Sequence, residues 1–112
     1  GGVMLEPIFG NSTIEKVLFF MFTYKDGYAK QMSDVFCIFI NGIQQQLSRL
    51  EEGGVLVSQK KGNTRIYTFN PSYAFLEELQ KLLEKALKML PEKEIKKYYR
   101  NRTRPRKSGK LL

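Results

Sequence analysis

One β-rich segment, set between stretches with helical spacing, restricts the possible folds more than any other feature. Apolar residues 55–57 begin it and residues 66–69 end it, with the polar run 60–65 between them. The polar run contains the glycine that a tight hairpin needs. Gly53 and Gly54 separate the segment from a helical pattern before it, since glycine commonly ends helices. The pattern predicts a mainly α protein with one small β-hairpin.

Three helical segments precede the hairpin. Ser12 and Glu15 match a capping box, which predicts the start of a helix over 12–24. After an Asp-Gly turn signal, apolar residues at helical spacing predict a short helix over 28–36. A further amphipathic pattern covers 41–52. Two short helices joined by an apolar turn are therefore expected side by side.

The stretch after the hairpin predicts a long helix over 72–90. One apolar seam along it consists of Leu76, Leu79, Leu83, Ala86 and Leu90. A second seam beside it consists of Phe75, Leu79, Leu82, Ala86 and Met89. Two seams make the apolar stripe wider than packing on one small domain requires. Pro91 breaks this helix, and a short helix over 92–99 is expected after it.

The length and composition are those of one ordinary globular domain, with 112 residues, 42% apolar and 27% charged. The longest apolar runs are six residues, 17–22 and 35–40, far below the roughly 18 that a membrane span needs. We therefore expect no membrane partner. There is one cysteine and no signal-peptide pattern, which favours the cytosol. We interpret Gly1-Gly2 as an expression scar.

The charge is concentrated at one end of the chain. From residue 91 onward there are nine Lys and Arg against two acids, whereas residues 1–90 are almost neutral. A strongly basic chain most often meets nucleic acid, because its cations release counterions from phosphates. The alternative is that the basic end only keeps the protein soluble.

The order helix, helix, helix, hairpin and helix resembles a winged helix-turn-helix domain. The stretches 28–32 and 43–56 resemble the helix-turn-helix of transcriptional regulators of the ArsR and MarR type, in which the second helix ends in a Leu-Glu-x-x-Gly-like step. Residues 61–71 are similar to the wing of those families, with its Arg-x-Tyr-x-x-Asn-Pro exit. The resemblance covers roughly residues 8–90. It implies a sequence-specific transcriptional regulator that binds double-stranded DNA.

The resemblance assigns a DNA-binding role to two sets of residues. The helix 41–52 would enter the major groove, where amide and hydroxyl side chains suit base readout and an arginine suits phosphates. Its candidate contacts are Asn41, Gln44, Gln45, Ser48 and Arg49, with Gln46 on the flank. The wing candidates are Lys60, Lys61, Asn63, Thr64 and Arg65. Two alternatives stay open: an ion pair of Arg49 with Glu52 or Glu15, and a wing tip that is only solvated.

A homodimer is expected from apolar surface that one domain could not cover. Phe19 and Phe20 lie off the buried stripe of the helix 12–24, and the helix 72–90 has two seams. The residues expected at the dimer interface are Phe19, Phe20, Leu79, Leu82, Leu83, Ala86 and Leu90. A two-fold dimer presents two recognition helices about one DNA turn apart, so its operator would be a near-palindrome.

The turn before the recognition helix departs from these families. Cys37-Ile38-Phe39-Ile40 stands where a Gly-Leu-Ser turn is usual. Either Phe39 and Ile40 are buried in a longer turn, or they form an apolar surface that meets a protein. Cys37 is expected to be a small buried hydrophobe. The departure supports a rival hypothesis, a winged helix used as a protein-interaction or assembly module. A third reading is an RNA-binding variant that stacks bases on Tyr98 and Tyr99.

The residue inventory argues against catalysis and against bound metals or cofactors. The chain has no histidine, so neither a Ser-His-Asp set nor a histidine metal ligand can form. Its lone cysteine has no partner for a thiolate metal site, and no phosphate-binding glycine loop occurs. We therefore expect no enzyme activity, no metal and no cofactor.

The expected organisation has four parts. Residues 1–7 form an N-terminal arm with the expression scar, and residues 8–90 form the winged-helix domain with its dimerisation helix. Residues 91–99 form a short helix. Residues 100–112, the basic tail, are expected to be disordered, because they are rich in charge and poor in apolar side chains.

Overall fold

A computed structural model describes residues 5–99 as a mainly helical fold with a small antiparallel sheet. The helices are α1 (Glu6–Phe9), α2 (Ser12–Tyr24), α3 (Ala29–Phe36), α4 (Ile40–Glu52), α5 (Leu76–Lys88) and α6 (Glu92–Tyr98). The strands are β1 (Asp26–Gly27), β2 (Leu56–Lys61) and β3 (Thr64–Phe69). Residues 1–4 and the basic tail, whose expected disorder is a sequence prediction, lie outside the described residues. No helix within 5–99 has the length and apolar character needed to cross a membrane.

The predicted hairpin is present and pairs with a third strand. Within the described residues, the sheet has the order β1-β3-β2, and β2 pairs with β3 from Leu56 opposite Phe69 to Lys61 opposite Thr64. Gly62 enters the turn with a φ of 64°, which glycine adopts without strain. The Asp26-Gly27 pair, predicted only as a turn, forms β1 opposite residues 67 and 68.

Asn11, rather than Ser12, caps α2. Its backbone is extended (φ −163°, ψ 163°), and its side-chain oxygen accepts a hydrogen bond from the backbone N–H of Ile14 at 2.8 Å. That bond satisfies one of the amides left free in the first helical turn. The capping box centred on Ser12 was therefore placed one residue too late, although the predicted bounds of the helix were correct.

α2 is buried on several sides within a single copy of the chain. Phe19 and Phe20 are only 1% and 2% exposed. The Phe19 ring packs edge-on against Tyr99 with centroids 5.4 Å apart, and the Phe20 ring lies 6.1 Å from Phe36. The expectation that a second copy must cover Phe19 and Phe20 is wrong, because α3 and the segment that follows α5 already cover them.

α5 is shorter than the helix predicted over 72–90. Residues 70–75 form turns in which the N–H of Tyr73 bonds to the carbonyl of Asn70 and that of Leu76 bonds to Tyr73. The remaining helix has 13 residues, so the described part of the chain contains no long C-terminal helix. Asn70 also accepts from the N–H of Ser72 through its side chain, which favours a turn over an early helix start.

The inward seam of α5 belongs to the core of the domain. Leu83, Ala86 and Leu90 are buried where α5 packs against α2, and Leu79 is half-buried against the same core. Leu83, Ala86 and Leu90 are therefore removed from the expected dimer interface. Of the seven residues expected there, Leu82 remains exposed, and the two residues that cap α5, Phe75 and Met89, are exposed as well.

α6 folds back onto α2 and α3 through an aromatic cluster. The Tyr98 ring lies 5.1 Å from Phe36, and the Tyr24 hydroxyl donates to the Tyr98 carbonyl at 2.9 Å. The ammonium of Lys16 lies 5.4 Å from the centroid of the Tyr98 ring. Tyr99 is buried, so it offers no face for stacking on a base. The RNA reading that used both tyrosines is therefore not supported by their positions.

Burial also perturbs the Tyr99 hydroxyl. Removal from water raises the pKa of Tyr99 above its ordinary value of 10.0, and the nearby carboxylates of Glu94 and Glu15 raise it further. The cluster thus keeps a neutral phenol at the junction of α6 with α2.

Candidate nucleic-acid interface

A short, internally bonded turn joins α3 to α4. Cys37 ends α3 with a φ of 57°, and the Ser33 hydroxyl donates to the carbonyl of Ile38 at 2.6 Å. The N–H of Ile38 returns a bond to the Ser33 carbonyl at 3.2 Å. Cys37 is exposed, which corrects the expectation of a buried cysteine. Phe39 is 91% exposed at the start of α4, so the turn is not a longer one that hides it.

α4 presents the predicted polar face to solvent. Ile43, Leu47 and Leu50 are buried, as their helical spacing predicted. The four side chains predicted to point outward are exposed; they are Asn41, Gln44, Gln45 and Ser48. Gln46, expected on the flank, is instead buried, and its side-chain oxygen accepts from the Asn11 amide at 3.5 Å. Gln46 therefore joins α4 to the start of α2 and does not face a ligand.

A cleft of about 560 Å³ lies between α4 and the hairpin, and we call it the interface cleft. It brings together five residues that the sequence assigned to DNA contact: Gln44, Ser48, Asn63, Thr64 and Arg65. Two of these come from α4 and three from the hairpin, which are separated in sequence by more than a dozen residues. The fold therefore joins the two predicted contact sets into one concave polar surface.

A hydrogen-bonded chain fixes Arg65 at this surface. Its Nη1 donates to the Ser58 hydroxyl at 3.0 Å, and that hydroxyl donates to Oε2 of Glu51 at 2.7 Å. The chain links β3 to β2 and then to the last turn of α4. Because Arg65 and Glu51 are exposed and Ser58 is only half-buried, the contribution of this chain to stability is small, and its main effect is to orient the guanidinium.

The other predicted contacts lie around the cleft rather than in it. Asn41, Gln45 and Arg49 are exposed on α4, and Lys60 is exposed on β2 directly opposite Arg65. Lys61 lines a shallow groove on the other side of the hairpin. The salt bridges among residues 5–99 do not include Arg49, so the alternative pairing with Glu52 or Glu15 is not seen.

Sequence reasoning missed five residues that also line the interface cleft: Tyr28, Ala29, Lys30, Ile40 and Tyr67. The pairing of Gly27 with Tyr67 brings the start of α3 to the hairpin. Lys30 forms a salt bridge with Asp34 at 2.8 Å, and the hydrogen bond to that carboxylate raises the pKa of Lys30. No local spacing places Tyr28, Ala29 and Lys30 at the cleft, because a long-range strand pairing brings the start of α3 to the site.

The chemistry of the cleft suits a polar polymer with negative charge. Its lining residues supply amide, hydroxyl and phenol groups with two cations, Lys30 and Arg65, and include no carboxylate. Amides pair with base edges, and hydroxyls and guanidinium groups also contact phosphates. No group of three side chains that could hold a metal ion occurs within the described residues.

Comparison of the chain with protein-family models, with curated proteins and with solved structures returned no match.

Proposed function

We propose that this chain is a sequence-specific reader of double-stranded DNA, a transcriptional regulator that acts as a homodimer in the cytosol. The proposal treats α3 and α4 as a helix-turn-helix and the β2–β3 hairpin as a wing. One observation carries it: the interface cleft joins the polar face of α4 to the polar side of the hairpin tip.

The dimensions and side chains of α4 suit the major groove. A helix of 13 residues is about 20 Å long, and the major groove is about 12 Å wide, enough to admit one helix. Gln44 and Gln45 can each pair with an adenine through both atoms of the amide. Because the inward face of α4 is fixed in the core, its outward face is held rigidly, as base readout requires.

The charges around the cleft suit the DNA backbone. Lys60 lies on the hairpin directly opposite Arg65, and Lys61 follows it on the other side of the hairpin. A wing at this position would lie along phosphates or an adjacent minor groove. Residues 5–99 are close to neutral, whereas the basic tail carries six Lys and Arg and no acid. In this proposal the cleft supplies sequence preference, and the tail supplies affinity for any duplex.

Fluorescence anisotropy over a salt series tests the proposal, with a random duplex of about 25 base pairs. Two variants separate the roles of the parts: one with all six Lys and Arg of the tail replaced by Gln, and Lys61→Gln. We expect the tail variant to bind more weakly with a shallower salt slope but to retain binding, because the folded domain contacts phosphates itself. Lys61→Gln is expected to lower the slope by about one.

Lys81→Gln is the matched control, because it removes the same charge from the exposed side of α5, away from the cleft. Lys81→Gln should keep the salt slope of the wild-type chain, whereas Lys61→Gln lowers it. Loss of all binding in the tail variant, together with equal slopes for the Lys61 and Lys81 variants, would show that the folded domain does not read DNA.

Phe39 supports a second candidate function, a protein-interaction module. A phenylalanine exposed to this degree is rarely left uncovered when its neighbours, Ile38 and Ile40, are also apolar. In this alternative the turn between α3 and α4 docks on a protein. The two functions differ in the effect of Phe39→Ser, which weakens duplex binding at most modestly in the first and abolishes partner binding in the second. If the folded domain does not bind the duplex in the anisotropy experiment above, the protein-interaction function is favoured.

A further inference from the structure

The exposed apolar side chains of α5 and of the residues that cap its two ends form one straight stripe. Phe75, Leu82 and Met89 follow one another at intervals of seven residues and are 64%, 37% and 66% exposed. A spacing of seven keeps side chains on one side of a helix over nearly two turns. Leu79 and Ala86 alternate with them on the side turned to the core. A stripe that runs the whole length of a helix is the pattern of a helix pair.

Two opposite charges flank this stripe on the same edge. Glu78 and Lys85 are exposed, and each lies three residues after one stripe residue and four before the next. Within the described residues, the salt bridges of α5 join Lys81 to Glu77 at 3.8 Å and Lys88 to Glu84 at 4.0 Å. Glu78 and Lys85 take part in neither bridge, so both remain available to a neighbouring chain.

We propose that a second copy of this chain covers the stripe, with the two α5 helices antiparallel about a two-fold axis at Leu82. Leu82 then packs on its own symmetry mate, and Phe75 meets the partner's Met89. Glu78 of each copy lies opposite Lys85 of the other copy, so two ion pairs form, one on each side of the axis. A parallel pair places the edge with Glu78 and Lys85 on opposite sides of the interface in the two helices, so neither ion pair can form. The charge pattern therefore selects the antiparallel orientation.

This inference rests on the homodimer of the proposed function, and its test contains no DNA. Sedimentation velocity of the full chain at tens of micromolar is expected to give a dimer, and Leu82→Glu a monomer with an unchanged circular dichroism spectrum. Ile8→Glu is the matched control, since Ile8 is exposed on α1 outside the stripe, and it should stay dimeric. A monomeric wild-type chain overturns both the homodimer and this interface, whereas a dimer that survives Leu82→Glu overturns this interface alone.

Charge reversal tests the orientation. Glu78→Lys and Lys85→Glu should each raise the dimer dissociation constant by about tenfold, because each turns two attractive contacts into repulsive ones. The double variant restores the opposite signs and should dissociate like the wild type. If the double variant instead dissociates more readily than either single variant, Glu78 does not pair with the partner's Lys85.

Disulfide crosslinking provides a second measure that does not depend on affinity. In a Cys37→Ser background, the double variant Phe75→Cys with Met89→Cys should form a covalent dimer on oxidation. Neither cysteine alone should do so, because each meets the other type across the axis. Crosslinking of Phe75→Cys by itself indicates a parallel pair and overturns the proposed orientation.

Discussion

Gln44 and Arg65 illustrate two different uses of a side chain in the same cleft. Gln44 has a free amide on the outward face of α4, whereas the hydrogen bond to Ser58 already orients Arg65. If the cleft binds DNA, the first group reads a base edge and the second holds a phosphate.

Substitutions at these two positions are therefore expected to differ in kind. Gln44→Ala should relax the preference for one base pair by about 1–3 kcal/mol and leave other positions unchanged. Arg65→Gln should weaken binding to all sequences alike and reduce the salt slope by about one. Binding to a library of randomised duplexes, sequenced after selection, measures both effects. If Gln44→Ala instead lowers the affinity for all sequences equally, Gln44 does not read a base.

Gly27 has no side chain, which allows β1 to pack closely against α2 and α3. A Cβ at this position would lie 2.7 Å from a ring carbon of Phe20 and 2.8 Å from the terminal methyl of Met32, both in the core. The buried Phe20 ring cannot move freely, so Gly27→Ala should lower the free energy of unfolding by about 1–3 kcal/mol. Urea denaturation measures the change.

Gly42 offers the matched control. It lies within α4, and a Cβ there would meet only the side chain of Ile38 at an ordinary 3.5 Å. Gly42→Ala should therefore leave stability unchanged or raise it by up to about 1 kcal/mol, as alanine favours the helix. Equal losses for both variants would contradict the packing argument.

At the scale of elements, α6 is held by a neutral phenol in a buried cluster. Because burial raises the pKa of Tyr99 above 10.0, the unfolded chain ionises this group at a lower pH than the folded chain does. Stability is thus fully present below about pH 10 and is lost as the pH rises above it, by at most about 1.4 kcal/mol per pH unit.

Tyr99→Phe removes the titrating hydroxyl and should flatten the loss of stability between about pH 9.5 and 11. Thermal unfolding followed by circular dichroism at several pH values measures it. Ile95→Ala weakens the docking of α6 without removing an ionisable group, so it should lower stability at every pH and keep the wild-type slope. If the stability of Tyr99→Phe falls with pH as steeply as that of the wild type, the loss of stability at alkaline pH comes from other groups.

The elements that sequence predicted well depend on local patterns. The spacing of Ile43, Leu47 and Leu50 was sufficient to orient α4, and the glycine at 62 placed the turn of the hairpin. The errors depend on distant contacts. The cover over Phe19 and Phe20 comes partly from residues about 80 positions later in the chain, and Tyr28 reaches the cleft only through the pairing of β1 with β3. No window of helical or strand spacing contains such information.

At the scale of the whole molecule, the proposed dimer and the proposed reader make a joint prediction about DNA. Two copies related by a two-fold axis engage two half-sites, so a selected operator should be a near-palindrome. Inserting about five base pairs between the half-sites turns one to the opposite side of the helix and should lower affinity by about tenfold or more. Anisotropy with the two duplexes measures the difference. If Leu82→Glu is monomeric, it should bind both duplexes with equal affinity. If the wild-type chain also binds both duplexes with equal affinity, its copies bind DNA independently, and the joint prediction is wrong.

The order of the sheet also bears on solubility. A strand edge with unpaired backbone groups can recruit another chain and start aggregation. In the described sheet, β1 has two residues on one edge, and β2 carries Lys60 and Lys61 toward the end of the other. Addition of further copies to the sheet is thus opposed at one edge because β1 is short, and at the other edge because β2 is charged. Concentrated samples of the chain are therefore expected to resist fibril growth through this sheet.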